Sequence, residues 1–271
     1  GSTGRPKAAM LTHENIRSNV ESFCDAEHIT KDDKLVGILP FFHAFGYTVT
    51  LWAPLMHDCM GLYHTSPLEA KPLGKLIDKY KATVLVAAPT FLRSWLKRAK
   101  PEHWQTLDLL ITGAEKLPPD LADTFEEKFG VRPWEGYGAT ETSPAVAANI
   151  PPNRCFKFQD PGRMGSVGQP LPGIAAKIVD METGKDLPTN ERGMLLVKGP
   201  NIMKGYYKDP EKTAKVLRDG WYVTGDVAMI DDEGFIFITG RESRMSKIAG
   251  EMVPHVLVEE AIAQAMHATE A

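Results

Sequence analysis

The sequence predicts an α/β fold with a mostly parallel sheet flanked by helices, followed by a small antiparallel β subdomain. Over residues 1–148, short apolar runs alternate with helical segments, which is typical of βαβ units and a parallel sheet. Over residues 174–240 the apolar runs are short and separated by turns, which indicates antiparallel strands. The chain has 271 residues, of which 43% are hydrophobic and 24% charged, and this is an ordinary globular composition.

The elements of the first part follow from local patterns. Residues 8–11 form a short apolar run that predicts a strand. Thr12 is predicted to be the N-cap of a helix that ends near Phe23, because its hydroxyl can accept from the free N–H groups of the first turn. Further strands are predicted over 34–40, 83–89, 107–111 and 131–134, and helices over 48–60, 68–80, 91–99 and 117–129.

The second part is predicted to contain four short strands, over 175–179, 194–198, 227–230 and 235–239. The residues Asp231-Asp232-Glu233-Gly234 separate the last two strands and are typical of a hairpin turn. A helix is predicted over 256–265. These patterns predict three parts: an α/β subdomain that lacks a portion before Gly1 (1–150), a small β subdomain (151–242), and the opening of a further, truncated domain (243–271).

Composition and charge exclude several classes of protein. The net charge is −4 and no basic stripe interrupts the mixed charges, which argues against a nucleic-acid partner. Cys24, Cys59 and Cys155 have no paired spacing, so we expect reduced, buried or half-buried thiols in a cytoplasmic protein rather than a metal site. No apolar stretch is long enough to span a bilayer.

The first seven residues, Gly1-Ser2-Thr3-Gly4-Arg5-Pro6-Lys7, have the features of a phosphate-binding loop. Glycines let the backbone turn tightly, and successive N–H groups in such a turn form an anion site beside the positive side chains. A flexible leader is an equally good interpretation of this stretch taken alone. The pattern is not a Walker loop, because the Lys follows Pro and no Ser or Thr follows the Lys.

A second informative stretch lies around Tyr137. Its ring, between two glycines, offers a surface on which a purine can stack. Thr140 can donate to a phosphate oxygen, and Glu141 is a hard oxygen ligand of the kind that Mg²⁺ uses beside substrate phosphates. A turn with satisfied polar groups is an equally good interpretation.

Two single residues are weaker candidates. Asp226 follows Thr-Gly and could accept from a ribose diol, although an Asx-turn is a common alternative. His43 lies between aromatic residues after a predicted strand and could line a substrate pocket. A core histidine held by one backbone hydrogen bond is the more frequent situation.

Five stretches, in order, resemble motifs of the adenylate-forming superfamily. This superfamily comprises acyl-CoA and acyl-ACP synthetases, adenylation domains of peptide synthetases and firefly luciferase. The matching stretches are 1–7 (phosphate loop), 113–115 (adenine side), 137–141 (core adenylate motif), 222–226 (ribose-binding Asp) and 240–241, with Lys247 and Gly250 downstream, as the hinge.

The resemblance implies ATP and Mg²⁺ as cofactors and a role for each matching residue. The implied phosphate-binding residues are Ser2, Thr3, Lys7 and Thr140; the adenine-side residues are Gly113, Ala114, Glu115 and Tyr137; the ribose-binding residues are Asp226 and Arg241; and Gly4 and Gly138 complete the nucleotide-binding set. Glu141 is the implied Mg²⁺ ligand. The implied catalytic residues are Lys7, Thr140, Glu141 and His43, the last of them near the acyl site.

The reaction implied is that of an ATP-dependent acid–thiol ligase. A carboxylate attacks the α-phosphorus of ATP, pyrophosphate leaves, and the thiol of coenzyme A or a carrier protein takes the acyl group from the acyl-adenylate. Positioning and charge neutralisation would supply most of the catalysis.

Three departures from the family pattern refine this expectation. The family's catalytic Lys near the end of the C-terminal domain and its large N-terminal portion match nothing in the chain, so the chain alone is expected to bind nucleotide with weak or no full ligation. Ser243 stands where an acidic residue or Lys is usual. Residues 246–253 look closer to the acyl-ACP synthetase half of bacterial 2-acylglycerophosphoethanolamine acyltransferase.

The narrower resemblance implies a fatty acid ligase of the acyl-ACP type, with a long-chain fatty acid and acyl carrier protein as partners. It also implies work at the inner face of the membrane and a lysophospholipid acceptor through a fused domain. Two alternatives stay open: an acyl-CoA synthetase, and a nucleotide-binding module without ligase activity.

Overall fold

The computed structural model describes residues 7–242, 245–248, 251–255, 258 and 262. The helices are α1 (His13–Ala26), α2 (Ala53–Met56), α3 (Ala70–Tyr80), α4 (Pro89–Arg98), α5 (Pro119–Phe129) and α6 (Pro210–Val216), with a π-helix at Gly46–Trp52 and 3₁₀ turns at Pro101–His103 and Thr140–Thr142. The strands are β1 (Ala9–Met10), β2 (Lys34–Gly37), β3 (Met60–Tyr63), β4 (Val84–Ala87), β5 (Leu109–Thr112), β6 (Pro133–Gly138), β7 (Ala145–Ala148), β8 (Gln169–Pro170), β9 (Ala175–Val179), β10 (Gly193–Lys198), β11 (Gly205–Tyr206), β12 (Leu217–Arg218), β13 (Trp221–Ile230), β14 (Ile236–Arg241), β15 (Met245–Ile248) and β16 (Glu251–Pro254).

A seven-stranded sheet runs in the order β3-β2-β4-β5-β6-β7-β8. Its first five strands are parallel, and β7 and β8 are added antiparallel. Every residue of β4 and β5 is buried, as expected for parallel strands that are covered on both faces. A five-stranded antiparallel sheet is built from β9, β10, β12, β13 and β14. The predicted fold class is therefore confirmed.

Two hydrophobic clusters cover the two faces of the large sheet. Side chains alternate across a strand, so Val84 and Val86 face one cluster while Leu85 and Ala87 face the other. The first cluster joins the sheet to α1 and to β9 and β10 of the small sheet. The second lies under α3, α4 and α5 and is built around the buried ring of Trp104. The small sheet and α1 therefore pack on the same face of the large sheet.

Helix α1 is held in place by its cap. Thr12 Oγ1 accepts from the Asn15 N–H (3.1 Å) and Asn15 Oδ1 accepts from the Thr12 N–H (2.8 Å), so the predicted N-cap is confirmed. Asn15 Nδ2 also donates to the carbonyls of Pro200 and Ile202. In the middle of the helix, the buried Asn19 bonds both the N–H and the carbonyl of Ala145 at the start of β7. These bonds fix α1 against both sheets.

The structure corrects several sequence expectations. The helix predicted over 48–60 is a π-helix followed by the short helix α2. An apolar run has no hydrophobic period that distinguishes a π-helix from an α-helix. The edge strand Met60–Tyr63 was missed, since only one of its four residues is buried. The strand predicted over 131–134 begins at Pro133 and continues to Gly138, so Tyr137 lies on a strand rather than in a turn. Strand β1 pairs with β11 and is not part of the large sheet.

Some predictions lie outside the described residues. These are the helix over 256–265, of which only residues 258 and 262 are described, and the hinge positions Ser243 and Gly250. Residues 245–248 and 251–254 form a two-stranded hairpin. The division of the chain at residues 150 and 242 stays a prediction.

The three cysteines are free thiols, as predicted. Cys24 and Cys59 are buried and Cys155 is half-buried. Burial raises the pKa of the Cys59 thiol to about 11, so it stays protonated at neutral pH. In the part of the chain that the structure describes, no helix has the length and apolar character needed to cross a bilayer.

Glu27, just after α1, is expected to make stability depend on pH. Its carboxyl is fully buried, and neither oxygen has a hydrogen-bond partner among the described residues. Burial raises its pKa to about 8, from about 4.5 in the unfolded chain, although the Arg154 charge opposes the shift. Between these two values the folded state keeps a proton that the unfolded state loses, so the free energy of unfolding falls as pH rises.

The Glu27→Gln variant lacks this titration. As pH rises from about 4.5 to about 8, we expect the wild type to lose unfolding free energy relative to the variant. Chemical denaturation at several pH values measures this difference. A difference that is constant with pH would contradict the burial of a protonated Glu27.

Candidate functional site

The candidate site lies at the carboxyl ends of β5 and β6, the usual place for ligands in open α/β sheets. The segment Gly113–Glu115 follows β5, and the 3₁₀ turn Thr140–Thr142 follows β6. Two adjoining cavities open there, of about 280 and about 430 Å³. Tyr137 on β6 lines both cavities.

The first cavity combines apolar and polar walls. Its lining residues include Phe23, His43, Phe45, Ile111, Gly113, Gly136, Tyr137, Thr140, Glu141, Pro144, Ala147 and Arg241. Phe23, Ile111 and Ala147 belong to the buried core, whereas His43 and Thr140 are exposed. A cavity of this kind can hold an apolar group at one end and a charged group at the other.

The second cavity is lined by charged and polar side chains, by the Tyr137 ring and by the apolar residues Val167 and Ile238. Its lining residues include Ala114, Glu115, Lys116, Glu135, Tyr137, Gly138, Asp226, Thr239 and Arg241. The residues predicted for the adenine and ribose sides converge on this cavity from β5, β6, β13 and β14, except Gly113, which lines the first cavity.

Asp226 is the most buried charged group at this cavity, with 4% of its surface exposed. The Tyr137 hydroxyl donates to Oδ2 (2.5 Å) and Arg241 Nε donates to Oδ1 (2.8 Å). Asp226 lies opposite Arg241 in the β13–β14 pair, which explains the second contact. Its side chain thus bonds across the fold and does not form the alternative Asx-turn. Burial and the Asp226 charge raise the pKa of Tyr137 well above its usual value, so Tyr137 stays a donor.

Glu141 and Lys7 form a charged pair at the other end of the site. Lys7 Nζ lies 3.7 Å from Glu141 Oε1, and the hydroxyl of Tyr206 donates to the same oxygen (2.6 Å). Lys7 Nζ also lies 5.3 Å from the centre of the Tyr206 ring. The Met203 N–H donates to the backbone carbonyl of Glu141 (2.8 Å), which ties the turn after β6 to the segment before β11.

The segment after β5 is shaped by close packing. A side chain on Gly113 would come within 3.1 Å of the Phe45 ring, so glycine allows this ring to approach the backbone. Ala114 adopts a left-handed conformation (φ +69°). Glu115 accepts from the Thr90 hydroxyl (2.5 Å), which orients its carboxylate.

His43 is exposed and lines the first cavity, so the alternative of a core histidine is wrong. The Phe45 N–H donates to its Nδ1 (3.2 Å). The neutral ring therefore carries its proton on Nε2, which can donate to a ligand.

The other predicted site residues divide into two groups. Thr140 and Gly138 line the first cavity, and a side chain on Gly138 would overlap the Pro144 carbonyl. Ser2, Thr3 and Gly4 lie outside the described residues.

Sequence reasoning missed Tyr206, which bonds Glu141, and Phe23, which lines the first cavity. Tyr206 is brought to Glu141 by the Met203 bond to the Glu141 carbonyl and to Lys7 by the pairing of β1 with β11, and both are contacts between distant parts of the chain. Phe23 lies on the buried face of α1, where the helical period indicates core and gives no sign of a ligand.

The donor set fits Mg²⁺ held jointly with substrate phosphates. Glu141 offers a carboxylate beside the Thr140 hydroxyl and the Lys7 ammonium. Within residues 7–242 and the other described positions, no cluster of three or more His, Cys, Asp or Glu side chains forms a metal site. Mg²⁺ commonly uses one or two carboxylates together with phosphate oxygens, so a single Glu is sufficient.

Comparisons with known proteins agree with this geometry. A family model described as AMP-binding enzyme matches residues 1–207. A long-chain-fatty-acid–CoA ligase of Bacillus subtilis (strain 168) is 37% identical, covering 97% of this chain and 46% of the relative. A 4-coumarate–CoA ligase of Pinus taeda is 34% identical, with coverages of 93% and 48%.

A solved structure of ATP-bound MatB from Rhodopseudomonas palustris superposes with a TM-score of 0.82 at 35% identity, covering 94% of this chain and 49% of that one. The chain thus spans about half the length of the relatives it matches. Together, the family model and the shared fold show that this chain belongs to the AMP-binding enzymes, the adenylate-forming superfamily that its motifs resemble.

Proposed function

We propose that this chain forms the nucleotide- and acid-binding part of an ATP-dependent acid–CoA ligase. The observation that carries the proposal is the pair of cavities on β6. One is lined by buried core residues and by Glu141, which pairs with Lys7, and the other is lined by Asp226. Arg241 lines both cavities. Tyr137 lines both, so a nucleotide in one cavity and an acid in the other would meet beside it.

Each residue of the site has a chemical task in this proposal. Asp226 and Arg241 bond the ribose hydroxyls, and the Tyr137 ring with 113–115 encloses the adenine. Lys7 and Thr140 donate to phosphate oxygens. Bound Mg²⁺ would offset phosphate charge, and Glu141 is the residue that would hold it.

The acid would bind in the first cavity with its carboxylate toward His43. The Nε2–H of His43 can orient that carboxylate for attack on the α-phosphorus of ATP, after which pyrophosphate leaves. The fixed donors around the phosphates act by stabilising the charge that develops during transfer. A thiol then attacks the acyl carbon of the adenylate, the thioester forms, and AMP leaves.

Coenzyme A is the thiol that the comparisons favour. The relatives reported above are named as CoA ligases of a long-chain fatty acid and of 4-coumarate, which supports the acyl-CoA alternative over the acyl-ACP type. The acyl-ACP synthetase stays as a second candidate, because residues 246–253 resemble that type. A lysophospholipid acceptor belongs only to the second candidate.

The test is binding of an acyl sulfamoyl adenosine, a stable analogue of the acyl-adenylate. Calorimetry should give a dissociation constant at least about tenfold below that of AMP, because the analogue fills both cavities. If the analogue and AMP had equal dissociation constants, the acyl group would add nothing to binding, and the result would favour a nucleotide-binding module without ligase activity. Thioester formation from ATP, a fatty acid and either CoA or acyl carrier protein then distinguishes the two candidate ligases.

A further inference from the structure

Tyr206 contacts both charged groups that the proposed function assigns to Mg²⁺ and the phosphates. Its side chain is buried, its hydroxyl donates to Glu141 Oε1, and its ring faces Lys7 Nζ. Carboxylates accept at two oxygens with about four lone-pair sites. Glu141 can therefore take a cation while it keeps the bond from Tyr206.

The backbone fixes Tyr206 beside the segment that carries Lys7. Ala9 of β1 is the register partner of Tyr206 in β11. The Tyr207 N–H donates to the Ala8 carbonyl (2.8 Å), and the Tyr206 N–H donates to Thr213 Oγ1 at the start of α6 (2.9 Å). The position of the ring is thus set by two elements and not by its own rotamer alone.

We propose that Tyr206 is a positioning residue that orients Glu141 for the cation and Lys7 for the phosphates. The inference rests on the proposed function. A hydrogen bond to an ionised carboxylate is short and strong, and it restricts rotation of the Glu141 side chain. The ring face attracts the Lys7 ammonium, and this attraction holds the Lys7 side chain beside the Glu141 carboxylate. Residues that orient a metal ligand commonly contribute about 10- to 100-fold to metal affinity.

The test is a Mg²⁺ titration of ATP binding, measured by calorimetry on wild type and Tyr206→Phe. The variant keeps the ring and loses only the hydroxyl. We expect half-saturation with Mg²⁺ to require about tenfold more Mg²⁺ in the variant, with AMP binding in the absence of Mg²⁺ unchanged. Tyr207→Phe is the matched control, because this neighbour is exposed and should behave as wild type.

The outcomes separate the inference from the proposal beneath it. An unchanged Mg²⁺ requirement in Tyr206→Phe would overturn the positioning role. Equal loss of AMP and ATP binding would also overturn it, because that result indicates a general structural effect. A wild-type chain that binds neither nucleotide would overturn the proposed function, and the inference with it.

Discussion

Replacing Asp226 by Asn is expected to weaken AMP binding by about 10- to 100-fold, the range expected when charge-assisted hydrogen bonds are lost. The buried carboxylate can accept from the ribose hydroxyls, Tyr137 and Arg241 together. An amide has one acceptor oxygen and presents a donor at the other position, so it cannot serve the same partners.

The fold should tolerate the Asp226→Asn change. The Arg241 side chain is largely exposed, so its ion pair with Asp226 adds little to stability. Asp232→Asn is the matched control, because it removes one charge from an exposed turn of the same hairpin. Calorimetric titration with AMP should give a wild-type affinity for the control. Equal affinities in Asp226→Asn and Asp232→Asn would exclude Asp226 from the nucleotide site.

Replacing Gly138 by Ala is expected to cost about 3 kcal/mol or more in unfolding free energy, at the upper end for overpacking. A Cβ at this position would overlap the backbone carbonyl of Pro144, and backbone cannot move aside as a flexible side chain can. Strand β6 would have to shift, and Tyr137 is the residue directly before Gly138 on this strand. Nucleotide binding should therefore fall together with stability.

Gly136→Ala is the matched control on the same strand. There a Cβ would lie 3.3 Å from the Ala147 carbonyl, which a small adjustment can relieve. We expect a change within about 1 kcal/mol in urea denaturation. If Gly138→Ala were as stable as Gly136→Ala, the close approach of Gly138 to the Pro144 carbonyl would be wrong.

The sequence was sufficient for elements whose pattern is local. Helix α5 runs from Pro119 to Phe129, close to the predicted 117–129, because Pro at its start and Gly130 after its end are strong signals. Strand β9 matches its predicted range of 175–179. The π-helix and edge strand β3 were missed, since neither has a distinctive hydrophobic period.

The same distinction applies to the site. Tyr137, Glu141 and Asp226 stand in short motifs whose chemistry is visible in the sequence, and the structure places them around adjoining cavities. Tyr206 was not predictable, because its contact with Lys7 depends on a strand pair that joins Ala9 to Tyr206, two residues far apart in the chain. His43 was a weak candidate because a histidine among aromatic residues is more often a core residue than a pocket residue.

The most direct test of the central claim is photo-crosslinking with an azido-adenine analogue of ATP, followed by peptide mass spectrometry. The adenine site proposed here predicts label on the peptides that contain 113–115 or Tyr137, and excess AMP should remove this label. Label confined to other peptides, or label that AMP does not reduce, would contradict the assignment of this cavity to the nucleotide.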